Sequence, residues 1–293
     1  MKRSRKKLLG FMLTALAVVA AVFFIYVWQE KLKGADNKPT IICPTDSLYV
    51  SVESLNDWSI LLSDVTALDV EDGDITDSLV VESISQFVEP RHCIVTYAAF
   101  DSANNVSKLT RHLFITDYTS PRFKLTGPLD FNYSSNFNPL SVVEAYDCVD
   151  GNISDRVKMA LVNPSDDITS TGAHNVEFRV TNSMGDTSVL KAEIDVYDRT
   201  YTETRTIPII RLTDYLIYVE QYGYFDPMSY VSGITLGGVQ YTVEEYGADK
   251  LEIDRSDVDF SVPGLYRVIY KCDNRGDYVG CAVLMVVVEE VGN

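Results

Sequence analysis

The densest chemistry in this 293-residue chain is a run of carboxylates. Asp69, Glu71, Asp72, Asp74 and Asp77 crowd into one short loop around Gly73. Oxygen donors at that density suit a hard cation such as calcium, which draws several carboxylate, carbonyl and water oxygens together. The spacing is not that of an EF-hand loop, because Gly73 arrives one residue too early. A second loop, Asp147 to Asp155, repeats the pattern but puts Val149 and Asn152 where the first has Glu71 and Asp74. The competing reading is architectural: Asp and Asn cap turns through neighbouring backbone N–H groups, and Gly supplies a positive φ.

Catalytic constellations are absent from the pattern. The three histidines, His92, His112 and His174, fall on strand-like runs in different parts of the chain. They form no Ser-His-Asp set and no metal triad. There is no phosphate-binding glycine loop and no CxxC pair. A non-enzymatic protein is expected, although the acidic loops leave room for a hydrolase with paired carboxylates. The five cysteines are too few and too odd in number for a disulfide scaffold. Cys272 and Cys281 flank a turn and are the candidate disulfide; Cys43, Cys93 and Cys148 read as small apolar fillers.

The last third of the chain holds eleven of the eighteen tyrosines. Tyr222, Tyr224, Phe225 and Tyr230 form the densest aromatic segment, a candidate binding patch, because Tyr joins a rigid apolar plane to one hydroxyl. The alternative is that these rings are ordinary strand and core residues.

Beyond residue 39 the sequence reads as short alternating apolar runs broken by Asp-Gly, Asn-Asn and Pro-Gly, which is the pattern of β-sandwiches. One strand–turn unit occurs three times. Its copies are Cys93-Ile-Val-Thr-Tyr97-Ala-Ala-Phe-Asp101-Ser-Ala-Asn-Asn105, His174-Asn-Val-Glu-Phe178-Arg-Val-Thr-Asn182-Ser-Met-Gly185, and Tyr266-Arg-Val-Ile-Tyr270-Lys-Cys272-Asp-Asn274. Alternate residues in each make one apolar face. The acidic loop precedes the first two copies, and Val231-Ser232-Gly233-Ile234-Thr235 is its nearest remnant before the third.

The pairing of Glu71-Asp72-Gly73-Asp74-Ile75-Thr76 with the later hairpin resembles the bacterial Ig-like modules first described from pesticidal crystal proteins, the DUF5011 family. The resemblance covers residues 39–117 closely, 118–198 well and 199–293 only in the last hairpin. It implies tandem Ig-like sandwiches on a bacterial surface, and no catalytic activity.

Residues 8–28 contain no charge and follow a basic tail over residues 1–7. Such a run is long enough to span a bilayer, and it ends in Tyr26-Val27-Trp28-Gln29 without the small residues of a cleavage site, which argues against a cleaved signal. Residues 29–38 would then be a linker. The chain carries net charge −17, of which residues 1–33 hold +6, leaving −23 for the remainder. So acidic a body repels phosphate backbones, which excludes nucleic acid as a partner. The basic flank places the N-terminus in the cytoplasm and the C-terminal bulk outside. The expected class is therefore an all-β ectodomain of three Ig-like domains behind one transmembrane helix, held in the cell membrane by residues 8–28. Its expected role is adhesion or recognition of a protein or glycan, with the first two domains as spacers. The alternative role is an accessory or scaffold subunit of an envelope or secretion assembly.

Overall fold

The computed structural model describes residues 14–28, 38–133, 137–274 and 279–290. The chain divides into two compact units, Met1–Asp117 and Tyr118–Asn293. Helix α1, residues 14–28, is the described part of the apolar run; residues 8–13 of the expected span lie outside the described residues. Among the described residues, no helix is long and apolar enough to cross a membrane. Leu16, Val19, Phe23, Phe24 and Trp28 on α1 are all more than 60 % exposed.

The first unit contains a seven-stranded sandwich. Its smaller sheet orders β1 (Thr40–Ile42), β3 (Thr66–Asp69) and β4 (Gly73–Asp74). Its larger sheet runs β2 (Ser47–Val50), β7 (Val106–Ile115), β6 (His92–Phe100), β5 (Val80–Ile84). Strands β2 and β7 are parallel, and the other neighbours pair antiparallel. Period-two alternation turns Cys93, Val95, Tyr97 and Ala99 inward, where each is fully buried.

The second unit repeats this topology twice. One sandwich has β8 (Arg122–Leu125), β10 (Val143–Asp147) and β11 (Gly151–Asn152) on one side. Facing them are β9 (Asp130–Asn132), β14 (Thr187–Tyr197), β13 (Gly172–Thr181) and β12 (Lys158–Leu161), in that order. The other sandwich has β15 (Ile209–Leu212), β17 (Val231–Leu236) and β18 (Val239–Tyr241) against β16 (Leu216–Glu220), β21 (Val279–Glu289), β20 (Gly264–Asp273) and β19 (Leu251–Asp254). The parallel pairs recur as β9–β14 and β16–β21. Phe178 and Tyr270 take the place of Tyr97, both fully buried.

The acidic-loop hairpin thus survives in the third sandwich as β17–β18, turned by Gly237 and Gly238 in place of carboxylates. Only the strand pairing is kept there, because a glycine pair reverses the chain without a side-chain cap.

The second and third sandwiches share one continuous hydrophobic core. Tyr218 on β16 accepts a hydrogen bond from the Phe123 N–H at 2.9 Å, and the Arg122 guanidinium lies 5.0 Å from its ring centroid. Arg122 also pairs with Glu289, and Arg267 with Glu193 at 3.2 Å.

Gly280 marks the tightest packing point in the last sandwich. A Cβ there would lie 1.8 Å from the Pro208 carbonyl oxygen, so nothing larger than hydrogen fits without moving backbone. Gly280→Ala is expected to destabilise the second unit by about 2 kcal/mol through overpacking. A urea midpoint unchanged from wild type would show that β21 and the Pro208 segment can separate freely.

Candidate functional site

The carboxylates of the first loop act mainly on the loop itself. Asp69 Oδ1 accepts the N–H groups of Glu71 at 2.8 Å and Asp72 at 3.0 Å. Those two bonds, Asp72 first, hold its carboxyl below the usual carboxylate range. Asp74 Oδ1 accepts the Thr76 N–H at 3.0 Å, and Thr76 Oγ1 accepts the Ala67 N–H of β3 at 3.1 Å. Asp72 reaches across to the β6–β7 turn, where it takes the Ser102 N–H at 2.7 Å and the Ser102 hydroxyl at 2.9 Å. Glu71 and Asp77 are exposed.

The second loop is built the same way. Asp147 Oδ1 accepts the N–H groups of Val149 and Asp150, each at 2.9 Å. Asp150 takes the Ser183 N–H at 2.7 Å and its hydroxyl at 2.6 Å. Burial pushes the Asp150 carboxyl up, but Ser183 and Arg156 outweigh it and hold it low. That contribution is present above the ordinary carboxylate range and lost as pH falls through the depressed value. Gly151 sits between the strands at φ 71°, a conformation that costs any residue with a Cβ. The two sequence motifs are therefore the two halves of one clasp, with the loop aspartate gripping the hairpin serine.

Behind the second clasp lies a closed polar network. Asn182 Nδ2 donates to Asp147 Oδ2 at 3.0 Å and to the Tyr118 hydroxyl at 2.8 Å. The Tyr118 hydroxyl donates to Asp186 Oδ2 at 2.7 Å, and the Asp186 N–H donates to Asn182 Oδ1 at 2.9 Å. In the first sandwich Asp101 and Asn105 stand in the places of Asn182 and Asp186, and Asn105 donates its N–H and its Nδ2 to the two Asp101 carboxylate oxygens, each at 2.7 Å. Asp69 Oδ2 is left buried without a hydrogen-bond partner. Among the described residues, no group of three or more His, Cys, Asp or Glu is arranged to hold a metal ion.

The aromatic segment divides. Phe225 is buried, meeting Tyr230 and Phe260 edge-on at 5.8 Å each, and Tyr230 is half-buried. Tyr222 and Tyr224 are 74 % and 71 % exposed. Tyr222 adopts φ 65°, uncommon for a bulky residue, while its N–H donates to the Phe260 carbonyl at 2.7 Å. The Arg255 guanidinium lies 5.8 Å from the Tyr224 ring centroid.

The candidate disulfide is corrected: Cys272 and Cys281 are both free thiols. Cys272 is fully buried and pairs with Gly280, whereas Cys281 is exposed and pairs with Lys271. One register step puts the two sulfurs on opposite faces of the sheet. Cys93 does fill the core, but Cys148 is exposed and Cys43 half-buried.

Two histidines of the first sandwich meet, with His92 Nε2 2.8 Å from His112 Nδ1. His92 stacks on Phe114 at 4.5 Å, and Phe114 on Tyr49 at 5.1 Å. His174 is buried, its ring nitrogens 2.9 Å from Asp166 Oδ2 and 2.8 Å from the Ser170 carbonyl oxygen.

One repeated element escaped the sequence reading. Asn138-Pro139-Leu140-Ser141 and Asp226-Pro227-Met228-Ser229 each form a capped single turn before the third strand. The cap side chains accept the N–H of Leu140 and of Met228. A capping residue followed by Pro at the first helical position was the available signal. Buried hydroxyls tie such turns to the core: Tyr270 donates to the Pro227 carbonyl and Tyr97 to the Leu61 carbonyl, both at 2.8 Å.

These features define a protein of tandem seven-stranded β-sandwiches with Ig-like architecture. No family model matches the chain, and no curated protein matches it significantly. Among solved structures it is similar to the CBM51-2 and INT domains of Clostridium perfringens ZmpB in complex with GlcNAc, at 20 % identity and TM-score 0.22. That match covers 52 % of this chain and 26 % of the other. It is also similar to Drosophila N-cadherin EC1-4, at 11 % identity and TM-score 0.22, covering 87 % of this chain and 76 % of that one. Mouse cadherin-23 EC22-24 matches at 12 % identity and TM-score 0.20, over 87 % of this chain and 100 % of that one. Likeness at this level carries no argument about function.

Proposed function

We propose that the chain is a membrane-anchored, non-enzymatic bacterial surface protein whose sandwiches present a recognition surface for a protein or glycan. The observation that carries recognition is the Tyr222–Tyr224 pair. Two rings stand in solvent, and the first is held at positive φ by a backbone hydrogen bond to Phe260. Strain of this kind persists where surrounding structure enforces it, and it clusters at binding sites. Phe225 and Tyr230, in the same segment, pack edge-on against each other.

Anchoring is supported by α1, whose apolar side chains are exposed all round. A helix apolar on every face belongs in a core or in lipid. The basic tail then lies in the cytoplasm and the acidic sandwiches outside.

One experiment addresses both parts. Full-length chain is expressed in bacteria, membranes are washed with alkaline carbonate, and intact cells are treated with protease. The chain is expected to stay in the washed membranes and to lose its sandwiches to protease added outside. Binding to a panel of glycans and surface proteins is then compared between wild type and Tyr222→Ser/Tyr224→Ser. Release by carbonate would overturn the anchor, and an equal binding profile for both proteins would overturn the patch.

A further inference from the structure

A histidine occupies a core position of the second sandwich. His174 stands four residues before the buried ring of Phe178, where the first and third sandwiches have Cys93 before Tyr97 and Tyr266 before Tyr270. It is only 3 % exposed, and its two ring nitrogens face two acceptors. Nδ1 lies 2.9 Å from Asp166 Oδ2, and Nε2 lies 2.8 Å from the Ser170 carbonyl oxygen. A neutral imidazole carries one N–H and one lone pair. Beside an ionised Asp166, that lone pair would meet an oxygen lone pair on one side or the other, at a buried position. Both bonds form together only when the His174–Asp166 pair holds one further proton, as imidazolium against carboxylate or imidazole against carboxylic acid. Burial pushes the His174 ring down, but Asp166 and Ser170 outweigh it and hold it above the ordinary 6.5.

Both acceptors belong to the loop that joins β12 to β13. That loop is built from local turns: Asn163 Oδ1 takes the Ser165 hydroxyl at 2.7 Å, Asp167 Oδ1 takes the Thr169 N–H at 3.0 Å, and the Ser170 N–H donates to the Asp167 carbonyl at 2.8 Å. Turns of this kind shape a loop without fastening it to a sheet. Ile168 packs half-buried against the core, and the His174 ring fastens the loop to β13 at two points. We propose that His174 and Asp166 form a proton-dependent latch, which closes the loop of residues 163–171 onto the second sandwich and releases it as pH rises. The charges that act on the ring are the loop's own, Asp166 first and then Asp167. Its inward neighbours on the strands are apolar: Val176 on β13, Ile194 and Val196 on β14. Glu177 and Arg179 on β13, and Glu193 and Asp195 on β14, alternate to the outer face, with Asp130 of β9 beside Asp195. The Asp166 side chain is 29 % exposed, so the proton has a route to solvent. A ring raised above 6.5 when closed contributes its full stabilisation below that value and loses it as pH climbs through the raised one. In that interval each opening releases one proton, so the open population grows about tenfold per pH unit.

Amide hydrogen exchange of the full chain, followed by peptide mass mapping across a pH series from 5 upward and corrected for the intrinsic pH dependence of exchange, reads the latch directly. The peptide spanning residues 163–171 is expected to keep constant protection below pH 6.5, then to lose up to about tenfold per pH unit before levelling off. The Ser183 amide is the internal control, because the Asp150 carboxyl that accepts it is held low and stays ionised throughout. Asp166→Asn keeps an acceptor for Nδ1 but removes the charge, and should move the transition to lower pH. His174→Phe, which puts an aromatic core residue in the ring's place, should leave the loop open at every pH. Loop protection that is flat across the series in wild type would overturn the latch, as would a transition unmoved in Asp166→Asn. Should the variants not fold, the ¹⁵N shifts of the wild-type His174 ring decide. A midpoint above 6.5 supports the latch, and one at or below it overturns the proposal.

Discussion

Asp147→Ala is expected to destabilise the second unit by about 3–4 kcal/mol, the sum of three hydrogen bonds left without an acceptor at about 1 kcal/mol or slightly more each. The donors are the N–H groups of Val149 and Asp150 and the Nδ2 of Asn182. Asn182 is only 4 % exposed, so its amide has no water to turn to. Losing it also loosens the Tyr118 hydroxyl and, through Tyr118, Asp186. Urea denaturation of wild type and Asp147→Ala measures the loss, and amide exchange at Ser183 reports whether the clasp opens with it. Asp147→Asn keeps one carbonyl oxygen for the two loop N–H groups and should lose only the Asn182 contact. A midpoint unchanged in Asp147→Ala would mean that the loop is held by its strands alone. Asp69→Ala, in the first sandwich, is expected to have the smaller effect, because no Asn182 counterpart donates to its second oxygen.

Tyr218→Ala should uncouple the second and third sandwiches. The substitution removes the acceptor of the Phe123 N–H, the ring beneath Arg122, and the ring's own burial between the two sheets. A lost hydrogen bond of about 1 kcal/mol and the transfer term of an aromatic side chain together give about 3 kcal/mol. The expected signature is a single urea transition for the second unit in wild type and two in the variant. Tyr218→Phe, which loses the hydroxyl alone, should cost about 1 kcal/mol and leave one transition. The same contact has a pH dependence. Burial, opposed by the Phe123 N–H, pushes the Tyr218 hydroxyl up to about 12 from 10.0. Folding therefore favours the neutral phenol, and coupling present below pH 10.0 is lost as pH rises toward about 12. Coincident transitions in Tyr218→Ala would place the coupling elsewhere in the shared core.

Strand periodicity carried most of the fold. Alternation at Tyr97, Phe178 and Tyr270 located the innermost strand of each sandwich, because an inward ring every second residue is a local property of a pleated strand. The two acidic loops were visible for the same reason, as turn chemistry acts over a few residues. The β17–β18 hairpin was legible only as a remnant, since glycines replaced the carboxylates while the pairing stayed. The candidate Cys272–Cys281 bridge does not form because a one-residue change of register reverses the face of a sheet, and register is fixed by the whole ladder.

The sequence by itself determined the repeat, the all-β class, the acidic charge and the apolar N-terminal run, all of which depend on residue type and short spacing. Only the tertiary structure decided what the carboxylates do, since Asp72 and Asp150 are read as metal ligands or as clasps according to the distant serine each one meets. Tertiary packing likewise split the aromatic segment into buried Phe225 and exposed Tyr222 and Tyr224. It also set Arg111 at a buried core position of the first sandwich. Burial and partnership are sums over residues far apart in the chain, and no local pattern contains them.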